Sequence, residues 1–119
     1  MNLQIFGTHK NQDTRAAERF FRERGVTYQF VDLTQRELGA RELDAIIRAV
    51  GAQTLIDTES RSYRARGMQY LEFDPTEELA SDPLLMRQPV VRAIGGGVTV
   101  GMDTATWERW LREETGRAT

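Results

Sequence analysis

Cysteine is absent from all 119 residues of this chain. That absence excludes disulfides, thiolate catalysis and thiolate-held metals together. Histidine occurs once, as His9. No Ser-His-Asp constellation can be argued from spacing, and no second histidine or grouped carboxylates suggest a metal site. A solvated loop histidine is the expectation for His9. An excess of one charge is also missing, because Lys+Arg 16 against Asp+Glu 18 leaves a net charge of -2. No general attraction to nucleic acid or anionic lipid follows from that balance. No apolar run approaches the roughly 20 residues that cross a bilayer. Met1-Asn2-Leu3-Gln4-Ile5 lacks the basic and apolar regions of a secretion signal. These missing signals make a cytoplasmic protein without a membrane partner the expectation. The length fits a single domain, 1–119.

What is present alternates between strand and helix patterns. Leu3-Gln4-Ile5-Phe6 reads as a strand ending at Gly7. Ala17, Phe20 and Phe21 then recur at i, i+3, i+4, with Arg15, Arg19, Arg22 and Glu23 on the other side, and Gly25 ends the helix. Asp13 or Thr14 is the expected cap. Thr27 to Asp32 carries β-branched and aromatic residues in alternation, so a strand follows. Strand, helix and strand make a βαβ unit with a parallel pair. Leu43, Ile46, Ile47 and Val50 predict a helix closed by Gly51, and Ser60 to Arg66 a shorter one closed by Gly67. Asp74-Pro75-Thr76-Glu77 combines an acidic cap, proline at the first helical position and glutamate at the third. Val90 to Ile94, a Gly95-Gly96-Gly97 turn and Val98 to Val100 form a hairpin. Asp103 or Thr104 caps a last helix with Trp107, Trp110 and Leu111 on one face. The fold class is α/β, with a four-stranded mixed sheet built from βαβ and ββα halves.

Three strings carry a resemblance: Lys10-Asn11-Gln12-Asp13-Thr14-Arg15, Arg87-Gln88-Pro89-Val90-Val91, and Val98-Thr99-Val100-Gly101 with Trp107 beyond. In this order they are similar to the arsenate reductase (ArsC)/Spx family of glutaredoxin-like, thioredoxin-fold proteins. The likeness runs from about Leu3 to Leu111 and implies a helical insert over about 36–85. It implies a cis-proline at Pro89, whose preceding backbone would hydrogen-bond an extended peptide or thiol. It also implies a reactive cysteine, which falls on Gln12 by local string or on Asn11 by the ungapped distance from Gly7 to Gly25. The second cysteine of Spx-type members falls on Thr14. The arginine that precedes the family's proline is Gln88 here, with Arg87 one step earlier. Where arsenate-reducing members have a basic oxyanion residue, this chain has Asp57, Thr58 and Glu59. Arsenate reduction needs a thiolate nucleophile and several cations, so the expectation is that reductase activity is lost.

Asn11, Gln12, Thr14, Arg87, Gln88 and Pro89 are therefore the candidate binding residues, for a protein partner, a small anion or a small thiol such as glutathione. The first three would otherwise simply cap a helix, and Arg87 would be an ordinary surface arginine. Spx-like members act by binding RNA polymerase, which implies a regulatory role as one class. The alternative is a glutathione-dependent transferase or oxidoreductase in which Asn11 or Thr14 stabilises the ligand's own thiolate. Arg61, Arg64 and Arg66 with Tyr63 read as a solvated face rather than a nucleic-acid surface. Oligomeric state is not fixed by the sequence.

Overall fold

The structure, a computed structural model, describes residues 1–118. Strand β1 (Leu3–Gly7) leads into helix α1 (Gln12–Glu23) and strand β2 (Gln29–Asp32). Four short helices follow: α2 (Ala40–Val50), α3 (Ala52–Leu55), α4 (Arg61–Ala65) and α5 (Pro75–Ser81). Single 3-10 turns at Met68–Tyr70 and Pro83–Leu85 join them to the hairpin β3 (Val90–Ala93) and β4 (Val98–Val100), and α6 (Thr104–Ala118) closes the chain. The sheet order is β2-β1-β3-β4, parallel between β1 and β2 and antiparallel elsewhere. This is the mixed sheet that the alternation patterns lead one to expect.

Central position explains the composition of β1. All five of its residues are buried, because both faces of the strand are covered. Leu3 and Ile5 turn to one side with Val91 and Ala93, where α1 and α6 bring Ala17, Phe20, Phe21, Trp107 and Trp110. The Trp107 indole N–H donates to Thr99 Oγ1 at 2.8 Å, which satisfies its one polar atom in the core. Phe6 turns the other way with Val31 and Val90, against Leu43 and Ile46 of α2 and Leu55, Leu79 and Leu85 of the insert. Each such residue contributes about 1.5–3 kcal/mol relative to exposure. A handful of leucines therefore holds the whole insert against the sheet.

Local signals mostly predicted where helices start. Asp74 caps α5, its Oδ1 accepting from Thr76 N–H at 2.9 Å, and Ser60 Oγ accepts from Tyr63 N–H at 3.1 Å at the head of α4. The helix α3 has no predicted counterpart. Gly51 permits it by turning at φ +86° directly after α2, a conformation costly for any residue with a Cβ. The head of α1 differs from expectation. Neither Asp13 nor Thr14 is its cap: Asn11 is, with Oδ1 accepting from Thr14 N–H at 2.8 Å. Thr14 is fully buried and faces inward.

Candidate functional site

A cleft of about 710 Å³ lies between the β1–α1 loop and the insert. Thr8, His9, Lys10 and Asn11 form one side, and Asp57, Glu59, Ser60, Arg61 and Ser62 the other. Gln88 is part of the lining between them. The bond from Gln88 to Pro89 is cis. Pro89 is buried, and its carbonyl accepts from Gly101 N–H at 2.8 Å.

Gln88 organises this end of the cleft. Its Oε1 accepts from Thr8 N–H at 2.7 Å, from the Thr8 hydroxyl at 3.1 Å and from the Thr14 hydroxyl at 3.2 Å. Three donors converge on one atom, so that atom is the amide oxygen and the NH2 points elsewhere. The hydroxyl of Thr14 is available for this bond because the residue packs directly on Gly7. A Cβ on Gly7 would lie 2.4 Å from that hydroxyl. Among the described residues, the backbone N–H and C=O of Gln88 have no protein partner.

The six residues named from the sequence divide. Asn11 and Gln88 line the cleft. Thr14 lies beneath them, with its hydroxyl and its N–H both used internally. Pro89 is buried behind the lining. Gln12 and Arg87 are exposed and outside the cleft wall. Of the two positions to which the cysteine can be aligned, only Asn11 faces the cleft.

Charges in the cleft are mixed. Among the described residues, Lys10 and Arg61 line it without an ion-pair partner. Arg61 thus supplies a cation near the stretch where Asp57, Thr58 and Glu59 lack one. Asp32 accepts from the Thr34 hydroxyl at 2.7 Å and from its N–H at 2.9 Å. These bonds hold its carboxyl below the usual carboxylate range. Asp57 accepts from Glu59 N–H at 2.9 Å. The other arginines of the expected basic face are neutralised, Arg64 by Glu59 and Arg66 by Glu78 and Asp82. The Ser62 hydroxyl donates to Asp82, which Arg66 already holds, so this contact knits the wall together.

Sequence reasoning missed the surroundings of His9. Its ring stacks on Phe30 at 4.2 Å, and Nδ1 sits 3.4 Å from Oε2 of the buried Glu18. The other oxygen of that carboxylate accepts from the Tyr28 hydroxyl at 2.9 Å. Burial first, and the Glu18 carboxylate second, push the Tyr28 pKa up. The spacing of His9 from Glu18 across the head of α1 is the only local signal that could have found this arrangement.

Solved structures share this order of a βαβ half, a helical insert, a hairpin and a final helix. A YffB protein superposes with a TM-score of 0.78 at 20% identity, over 90% of this chain and 96% of that one. The chain has the thioredoxin-like fold of ArsC-related proteins. An ArsC-family-related protein from Bacteroides fragilis shares this fold with a TM-score of 0.78 at 18% identity, over 92% and 97% of the two chains. An arsenate reductase from Vibrio cholerae does so with a TM-score of 0.71 at 15% identity, over 84% and 89%. No family model matches the sequence, and no curated protein matches it significantly. The ArsC-type fold is therefore kept without a single cysteine. No helix among the described residues is long and apolar enough to cross a membrane.

Proposed function

We propose that this chain is a divergent ArsC/Spx-family protein that no longer reduces arsenate and acts by binding. Its ligand is an extended peptide, either a small thiol peptide such as glutathione or a segment of a protein partner in a regulatory complex. The observation that carries the reading is Gln88. Its side chain is pinned by three hydrogen bonds, and its backbone N–H and C=O at the cleft have no partner among the described residues. A peptide laid alongside would pair with both groups, as one strand pairs with another. The loss of reductase chemistry rests on the missing thiol and on Asp57 and Glu59, which set negative charge where an oxyanion would sit.

A transferase that uses the ligand's own thiol is the second reading. Asn11 supports it, because its oxygen serves the α1 cap and leaves its NH2 as a donor at the cleft. Thr14 drops out of that reading, being buried with its hydroxyl engaged.

Titration with glutathione, followed by amide chemical shifts, tests the binding site. Shifts are expected at Thr8, His9, Lys10, Asn11 and Gln88, and should be lost in Asn11→Arg. Unmoved amides at these positions would sink the peptide-binding reading. Arsenate turnover above buffer, with glutaredoxin supplied, would overturn the loss of reductase activity.

A further inference from the structure

Two carboxamides face this cleft with their oxygens already committed. Asn11 Oδ1 accepts from Thr14 N–H at 2.8 Å, and Gln88 Oε1 accepts from three donors. Thr14 is bonded to both, through its N–H and its hydroxyl, so one buried residue ties the two amides together. Neither Asn11 Nδ2 nor Gln88 Nε2 has a protein partner among the described residues. No buried side-chain nitrogen is left unsatisfied either, so both NH2 groups are open to solvent. Both residues line the cleft, which is the space those groups can reach. The side chains of Asn11 and Gln88 therefore present only donors to the cleft, because both of their oxygens are turned inward.

Two side-chain donors select a ligand acceptor. Lys10 lines the same side without an ion-pair partner among the described residues, which favours an acceptor carrying negative charge. Asp32 and Asp57 offset Lys10 and Arg61, and Glu59 is paired with Arg64, so the cleft as a whole has no positive excess to offer a tetrahedral dianion. We infer that Asn11 Nδ2 and Gln88 Nε2 form a subsite for a single carboxylate, the C-terminal carboxylate of a peptide ligand. This assignment rests on the peptide-binding reading above and names the ligand group that reading leaves open.

The fold allows a test that changes the floor and little else. Asn11→Asp keeps a good helix cap, since aspartate caps as well as asparagine. Gln88→Glu keeps an oxygen for all three internal donors. Each replaces an NH2 at the floor by a carboxylate oxygen. Isothermal titration would compare N-acetyl-glycylglycine with its C-terminal carboxamide, with melting curves confirming that both variants fold. The free acid is expected to bind roughly tenfold or more tightly than the amide, the scale of a charge-assisted hydrogen bond. Either substitution should abolish that preference. Equal binding of acid and amide would overturn the subsite and leave the peptide reading standing. No binding of either probe would overturn both. Inorganic phosphate competing as well as the peptide acid would identify an oxyanion site and also overturn the proposal.

Discussion

The two sides of the cleft are built on opposite principles. The loop side is a network of neutral hydrogen bonds among Thr8, Asn11, Thr14 and Gln88, closed over the fully buried Thr14 and the buried Gly7. The insert side stands on α4, which buries none of its own residues. Exposed pairs such as Arg64 with Glu59 and Arg66 with Glu78 and Asp82 link it to its neighbours. Exposed ion pairs contribute little, because water and salt screen them and ordering two long side chains costs entropy. The loop side is thus fixed by hydrogen bonds that converge around one buried threonine. The insert side is held mainly by the leucines below it and can open locally at small cost.

Three substitutions would break or sharpen that contrast. The largest effect is expected from Leu79→Ala. Leu79 is the one buried residue of α5 and is fully inaccessible. Removing its side chain should cost about 2–5 kcal/mol, read as a lower urea midpoint. Amide exchange should accelerate in α4 and α5 before it does in α1. Simultaneous acceleration in α1 would show that the two sides do not separate.

Gly7→Ala should come next, at about 1–3 kcal/mol, the usual range for overpacking a tight site. The added Cβ would fall 2.4 Å from Thr14 Oγ1 and 2.7 Å from its Cγ2. Thr14 is buried and branched, so it has no empty space to rotate into. The chemical shift of the Thr8 amide should move, because its bond to Gln88 depends on the same packing. A melting temperature unchanged from the parent would mean that this side is softer than its bonding suggests.

The smallest effect is expected from Arg66→Ala. It removes both of the guanidinium's ion pairs, yet the side chain is 40% exposed. A change of about 0–1 kcal/mol is expected, shrinking further as salt is raised. A loss as large as that of Leu79→Ala would show that the charged network, and not the leucines, carries the insert.

The sequence made much of this architecture legible, and the exceptions have physical causes. Alternation in β2 and the hairpin, and the 3.6-residue stripes of α1 and α2, declare themselves because each must turn an apolar side to the core. The four residues of α3 are too few to show a period. Sequence alone does not single out the cap of α1, because Asn11, Asp13 and Thr14 are all good capping types. The Thr14 hydroxyl is turned instead to Gln88, 74 residues away in the chain. Arg61 looked like one member of a solvated cluster. Only the pairing of Arg64 with Glu59, and of Arg66 with Glu78 and Asp82, separates it from its neighbours and leaves it in the cleft. Local pattern thus predicted the elements, and long-range pairing decided which residues meet.

The locked amides at Asn11 and Gln88 bear on the conditions under which the cleft can work. A thiol at this place would change its character with acidity and with oxidants, alternating between thiolate, thiol and oxidised forms. A carboxamide has no titration in the physiological range and no oxidation ladder. These two amides therefore present the same pair of donors in a reducing cell, under peroxide stress and across mild acidification.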